Sequence, residues 1–417
     1  MSGVRFAVFG DPAAHAWPRR LVGLLLLAAV GATSAAAQTP FALQALGQNI
    51  DHGDARDMGR GGWGMADRDT LTPGTKNPAA LADLNFLGLF FNGYSEATTT
   101  SGGGLERTTR RAYLPEIRLG VPLRSRQVVL HGGLCLKRSM QFETVDPIEL
   151  EHFGEPVLGW QDYRRDGTLY TIPLGLSWRA TSGLALSGAF NFVRGTIQDV
   201  ITETYTEPLG NYYLANVREQ KDRMTGHNVT LALLWDGWRA LQLGAAVSTG
   251  YDLTMQRTVA LGGVAERTTE RLTGAMPPEY RAGLLVNLPR TWRFGADLQL
   301  MPYERFTGRP DWEPDLRDEW TVAAGFERPL AFRAHGRGYQ KPWRFGYQQR
   351  QWAHTIGGAP VREHAISVGT GFPFRNRLGT LDLSLSYVWI GSERDNGWRS
   401  NSLRLGLSIN GLERLVL

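Results

Sequence analysis

The sequence has a single cysteine, Cys135, in 417 residues. An exported chain with one thiol holds no internal disulfide, so its stability must come from its own core or from a membrane. It also lacks a long apolar run. The longest, LVGLLLLAAVGA after Arg19 and Arg20, has 12 residues, against about 20 for a helix that spans a bilayer. Charge of one sign is missing too. The balance of 45 basic and 40 acidic residues is too even to imply nucleic acid. Metal-ligand spacing is absent: the 8 histidines are scattered, and Asp51, His52 and Asp54 stand too irregularly for a ligand set. No Ser-His pairing stands out, and Cys135 reads as a small packed residue. The expectation is therefore no catalytic residue, no cofactor, no metal and no nucleic-acid partner.

The first residues are of a different kind. Arg19-Arg20, the apolar run and Ala35-Ala36-Ala37 follow the order of a secretory signal, which places residues 1–37 in a leader cleaved after Ala37. Gln38 rather than cysteine comes next, so no lipid anchor is expected. Glycine is abundant, 50 of 417, about 12% against roughly 7% on average. There are 13 tryptophans, yet the mean hydropathy is −0.26, that of a soluble protein. A transmembrane barrel reconciles these facts, because only every second strand residue faces lipid.

From Asn85 onward the chain alternates with period two. In LDLSLSYVW, Leu381, Leu383, Leu385, Tyr387 and Trp389 share one face, while Asp382, Ser384 and Ser386 share the other. LRLGLSI and WRFGADLQL do the same, and a helix would need apolar spacings of three and four. Fourteen such segments lie near 85–96, 112–122, 127–142, 168–180, 183–198, 223–236, 239–256, 278–288, 291–303, 317–328, 342–351, 362–374, 379–391 and 400–411. An even number is the rule for single-chain bacterial barrels.

Short connections (LRSRQ, ATSG, DGWR, LPRT, FRNRLG) alternate with long ones at 97–111, 143–167, 199–222, 257–277, 304–316 and 392–399. Short periplasmic turns and long outer loops explain the sorting. Residues 329–341 break it, being long where a turn is due. Trp178, Trp235, Trp292 and Trp343 fall at the periplasmic strand ends and Trp320 and Trp389 at the outer ends, as two aromatic girdles.

The opposite phase points into the lumen with Arg118, Arg179, Arg281, Arg293, Arg344, Arg350, Arg404, Asp297 and Asp382. Internal ion pairing is the reading preferred for them. Gly175, Gly244, Gly283, Gly295 and Gly406 leave space on that face. Residues 38–84 have no strand period and supply a filler. This stretch contains GRGGWG, which spells G-x-G-x-x-G through Gly59, Gly61 and Gly64. A dinucleotide fingerprint would follow a strand and open a helix. Here no apolar strand precedes it, and Pro73-Gly74 would cut a helix short. The glycines are expected to let the backbone turn against a narrow wall, with Trp63 as a wedge.

Three places resemble the FadL-type family of outer-membrane transporters for long-chain fatty acids and other hydrophobic compounds. GDARDMGRGGWGMADRDTLTPGTKNPAAL is similar to the family's N-terminal hatch, with Asn77, Pro78 and Ala79 on its Asn-Pro-Ala element. Met276–Phe306 resembles a family hairpin, and the stretch from WRFGYQQRQW to LRLGLSING resembles the C-terminal hairpins. The resemblance implies an all-β, fourteen-strand antiparallel transmembrane barrel at 85–417, closed inside by a hatch at 38–84. It implies that apolar solute is caught by outer loops and released sideways through the wall. The outer loops offer Phe153, Leu158 and Trp160 in one and Tyr205, Tyr212 and Tyr213 in another as ligand contacts. Gly59, Gly61, Trp63, Gly64, Asn77 and Pro78 are the hatch candidates. Expected partners are outer-membrane lipid, a hydrophobic small molecule and the barrel-assembly machinery, with the protein itself a monomer in the bacterial outer membrane. The alternative is a barrel that transports nothing and serves a structural or secretion-system role.

Overall fold

The computed structural model describes residues 41, 47–50, 53–69, 76–123, 127–152, 155–205, 216–262, 264–304, 316–332, 338–374 and 378–413. The signal expected at 1–37 lies outside them, as do Phe153, Tyr212 and Tyr213. A two-residue strand, β1 (Gln48–Asn49), and a short helix (Ala55–Gly59) come first, then a 3-10 turn (Pro78–Asp83). The wall follows as β2 (Leu87–Gly102), β3 (Leu105–Pro122), β4 (Val128–His152), β5 (Glu155–Thr181), β6 (Leu184–Tyr205) and β7 (Asn216–Trp238). Next are β8 (Leu241–Ser248), β9 (Tyr251–Leu261), β10 (Val264–Met276), β11 (Glu279–Asn287), β12 (Arg293–Met301) and β13 (Glu319–Arg328). A small hairpin of β14 (Ala331–Phe332) and β15 (Tyr339–Gln340) precedes β16 (Trp343–Ile356), β17 (Ala359–Pro373), β18 (Gly379–Ile390) and β19 (Trp398–Glu413).

β8 and β9 form one pass of the wall, broken at Thr249-Gly250, and β10 and β11 form another, broken at Pro277-Pro278. Proline has no N–H for the ladder, so the break falls where the sequence forbids a bond. With these joined, the wall is a closed antiparallel barrel of fourteen strands. β19 pairs with β2 from Trp398↔Gly102 to Glu413↔Leu87, which closes the ring.

Exposure is inverted relative to a soluble protein. Leu403 and Leu405 are 52% and 55% exposed on the outer surface, while Arg404 between them is 2% exposed. Apolar-out and charged-in is the pattern of a barrel whose solvent is lipid. All six girdle tryptophans sit on wall strands or at their ends, none of them buried.

Most of the expected long outer loops are strand. Residues 143–152 continue β4 and 155–167 continue β5, with Thr144↔Tyr163 and Leu150↔Val157 in register. Val200↔Glu219 extends β6 and β7 in the same way. Likewise 97–111 is a hairpin turning at Gly103-Gly104, and 257–277 carries β9 and β10. Both faces of these extensions mix charged and apolar side chains, so the apolar half of the alternation fades and the strand signal with it. The odd length of 329–341 is explained by the β14–β15 hairpin, with Ala331↔Gln340 and Phe332↔Tyr339.

Candidate functional site: the lumen and a slit in its wall

Residues 53–69 lie inside the barrel, against a track of small residues on consecutive strands. Gly295, Gly325, Gly346 and Ser367 are cross-strand neighbours at one level. The inner chain runs over them: Met65 against Gly244 and Gly283, Trp63 against Gly295, Arg60 against Gly325 and Gly346, Gly59 against Gly369. A Cβ on Gly295 would fall inside the Trp63 ring. Trp63 is fully buried, with the Arg60 guanidinium 3.9 Å over its ring. Gly61 and Gly62 have φ of +83° and +87°, a turn that L side chains resist. GRGGWG is therefore a turn that fits a glycine-lined wall.

Polar anchors fix the seat. Asp297 accepts from the backbone N–H of Gly64 at 2.7 Å and of Met65 at 3.0 Å. Ser408 Oγ accepts from Ala55 N–H at 2.6 Å and Ser367 Oγ from Gly61 N–H at 3.0 Å. Asn77 does three things. Its Oδ1 caps the 3-10 turn at Ala79 N–H, and its Nδ2 donates to Met65 O at 2.7 Å and to Leu233 O on β7 at 2.9 Å. Pro78 supplies the fixed φ of the first turn position, and its carbonyl accepts from Ser177 at 2.6 Å.

A buried ion cluster joins the inner helix to the wall. Glu327 on β13 takes Arg56 at 2.9 Å, Arg60 at 3.0 Å and Arg344 at 3.0 Å. Arg60 also holds Asp57 at 2.6 Å and Asp67 at 2.7 Å, Arg56 holds Asp69 at 2.9 Å, and Arg344 holds Asp382 at 2.7 Å. Arginine forks suit such shared carboxylates. Burial alone would lower the Arg56 pKa, but Asp67, Glu327 and Asp69 outweigh it and raise it. Asp54 caps the helix by accepting from Asp57 N–H at 2.8 Å. Its pKa is raised, first by burial and then by the Asp57 and Asp382 carboxylates. The inward arginines named from the sequence are paired: Arg118 with Glu116, Arg179 with Asp83, Arg281 with Glu279, Arg293 with Asp67 and Arg404 with Glu96.

The outer half of the lumen is different. Met140, Leu169, Val193, Ile197, Met224, Leu253, Met255 and Met276 form one buried apolar cluster with Tyr303, Leu316 and Ala353. Below it lies a cavity of about 130 Å³ whose lining includes Leu169, Val193, Met276, Asn191, Arg118 and Arg138. Beside that cavity the wall is incomplete. β3 pairs with β4 only from Glu116↔Cys135 down to Pro122↔Val129. Above this, β4 pairs instead with β1, through Gln48↔Ser139 and Asn49↔Arg138. Pro115 has no N–H to donate, and the β4–β5 register shifts between Leu136 and Arg138. The resulting slit between β3 and β4 is packed by Ile50, Tyr94 and Leu136 with Tyr113 and Tyr170. Tyr94 and Tyr113 lie 4.9 Å apart.

The residues named from the sequence fall into two groups. Gly59, Gly61, Trp63, Gly64, Asn77 and Pro78 converge on the seat just described. Of the outer residues, Leu158 and Trp160 are 63% and 55% exposed on β5, on the face that continues to the lipid side. Tyr205 ends β6 and donates to Glu203 at 3.0 Å. These three do not converge on one pocket. Reading the sequence missed Glu327 and its inner-chain partners Arg56 and Arg60, although it placed Arg344 on the inward face. It missed the methionines as well, which carry the inward phase of their strands. Among the described residues no group of three or more His, Cys, Asp or Glu could hold a metal.

A family model described as BamG matches residues 19–412. The chain belongs to the BamG family. No curated protein matches it significantly. Among solved structures, this BamG-family barrel is similar to the CymD monoaromatic hydrocarbon channel, with 13% identity, a TM-score of 0.55, and 88% of this chain and 99% of that one covered. It is similar to a Pseudomonas aeruginosa FadL homologue, at 13% identity and a TM-score of 0.54, covering 86% and 98%. It is also similar to the P. putida toluene transporter TodX, at 11% identity and 0.55, covering 87% and 99%. At such identities the likeness shows the fold, that of FadL-type outer-membrane barrels.

Proposed function

We propose that this BamG-family protein is an outer-membrane channel that takes up hydrophobic solutes, such as long-chain fatty acids, and releases them sideways into the bilayer. In this reading residues 1–37 direct export, 38–84 form a hatch and 85–417 form the barrel. The observation that carries it is the slit between β3 and β4, beside a cavity that opens under the methionine-rich cluster. Straight passage is opposed by the ion cluster and the Trp63 seat. An apolar solute gains nothing by crossing them, and gains by moving from an apolar cluster through an aromatic slit into lipid. Methionine suits such a path, being flexible and polarisable. The names of the CymD and TodX relatives, a hydrocarbon channel and a toluene transporter, support the class of cargo.

A second reading is favoured by the family description, BamG, which links the chain to the barrel-assembly machinery. There the barrel would be a partner of that machinery and move no solute. One experiment separates the two. With Cys135→Ser removing the native thiol, Tyr113→Cys and Leu136→Cys put one thiol on each side of the slit, to be joined by a reducible bifunctional thiol cross-linker. Labelled fatty acid and toluene uptake should fall to background on cross-linking and return on reduction. Uptake indifferent to the cross-link would overturn lateral release, and no uptake by the unmodified protein would favour the assembly reading.

A further inference from the structure

The extended sheet above the membrane has two faces with opposite charge logic. On its inner face Arg165 holds Asp199 at 2.6 Å and Arg257 holds Asp222 at 2.9 Å. On its outer face Arg194, Arg223 and Arg271 are exposed, and among the described residues none of the three has an ion pair. Their cross-strand neighbours are hydroxyls and amides. One row runs Thr168↔Thr196↔Arg223↔Gln256↔Arg271 across β5, β6, β7, β9 and β10. The row beneath runs Tyr170↔Arg194↔Thr225↔Thr254↔Thr273. Lys221 sits one outward position above Arg223, between Gln198 and Thr258.

The outward acids nearby lie off the two arginine rows. Asp166 accepts from Gln141 at 2.9 Å and Glu219 from Gln198 at 2.8 Å, both above the arginine rows. Asp252 lies below them on β9. Height is set by the lipid band. Phe190 and Phe192 are each 40% exposed, and His227 stacks on Phe190 with ring centroids 5.8 Å apart. Arg194 is the next outward residue after Phe192, and Arg223 is two outward positions above His227. Directly cross-strand side chains stand about 5 Å apart, so Arg194, Arg223 and Arg271 span about three strand spacings.

We propose that this patch binds the phosphorylated headgroup of a glycolipid in the outer leaflet, with arginine forks on phosphate and the threonine and glutamine side chains on sugar oxygens. Arginine presents paired donors that match phosphate oxygens. Cations placed just above an acyl-chain band are where anionic headgroups lie. The patch faces lipid rather than the lumen, so the inference is independent of what the channel carries.

The test is native mass spectrometry of the full-length protein in detergent, titrated with bisphosphorylated lipid A. Dephosphorylated lipid A, phosphatidylglycerol and inorganic phosphate serve as comparisons. The native protein should retain lipid A at least tenfold better than its dephosphorylated form. The triple substitution Arg194→Gln, Arg223→Gln and Arg271→Gln should lose that margin, and Arg223→Gln alone should lose part of it. Arg110→Gln with Arg399→Gln, on other strands, should keep it. All are surface changes, so heat-modifiable migration on a gel should report a folded barrel in each. Equal retention by the triple variant, or equal binding of the dephosphorylated glycolipid, would overturn the proposal. Displacement of lipid A by millimolar inorganic phosphate would also overturn it, marking a free-anion site instead.

Discussion

The two sides of the barrel wall are built differently. Strands β12, β13, β16, β17 and β18 are 9, 10, 14, 15 and 12 residues long. Strands β4, β5, β6 and β7 are 25, 27, 22 and 23. A tilted strand crosses a bilayer in about 9–11 residues, so the second group stands far above the membrane. The short side offers the inner chain a smooth glycine and serine track and a carboxylate, Glu327, that gathers three arginines. The tall side offers methionine, leucine and valine inside, a break in β-pairing, and cations outside. One side is shaped to hold a peptide still. The other has the adaptable apolar surface and the interrupted hydrogen bonding from which moving parts are drawn.

This contrast can be broken from either side. The largest effect should come from Glu327→Ala. It removes the one carboxylate that Arg56, Arg60 and Arg344 share and leaves the buried cluster one negative charge short, and removing one partner of a buried pair costs about 3–5 kcal/mol. Ion conductance in planar bilayers should rise sharply while the fourteen-strand barrel persists. A closed, silent channel would show that the ion cluster does not hold the inner chain in place. Next, Trp63→Ala leaves a hole over Gly295. Such truncations cost about 3–5 kcal/mol, and conductance should rise by a smaller step because the ion cluster survives.

On the tall side, Met255→Gln should leave conductance alone but lower uptake of apolar solutes several-fold, since a polar group now sits in the cluster without a set partner. If conductance changed and uptake did not, the two sides would not be separate in function. The smallest effect belongs to Asp54. Its raised pKa means that the folded barrel favours the protonated form. Its contribution to the seat is full below the ordinary aspartate range and is lost as pH rises through the raised value. Asp54→Asn keeps the helix cap and removes the titration. Protease protection of the inner chain should weaken with rising pH in the native protein and do so less in the variant.

How much of this was legible beforehand follows from what is local. The alternation in LDLSLSYVW and LRLGLSI marks wall strands because side chains flip with period two, whatever their partners. GRGGWG with Asn77-Pro78 marked the inner segment because glycine turns and proline starts are also local. The upper strands were missed because both faces of residues 143–167 mix charged and apolar side chains, leaving no clean apolar phase to see. Of the outer ligand candidates, Leu158 and Trp160 are turned away from the lumen. Leu158 and Trp160 look like loop residues in sequence, but the register of a continuous ladder turns both outward.

By itself, then, the sequence determined fourteen wall strands, an apolar outside, a charged inside and a glycine-rich stretch ahead of the wall. Only the tertiary structure decided which charge meets which, where β4 leaves β3, and which methionines share a space. Arg56 and Glu327 are 271 residues apart along the chain. No spacing rule reaches that far. Such contacts form only because closing the barrel brings strands and inner chain to one level, and a shift of one residue in register would turn each of these side chains to the opposite face.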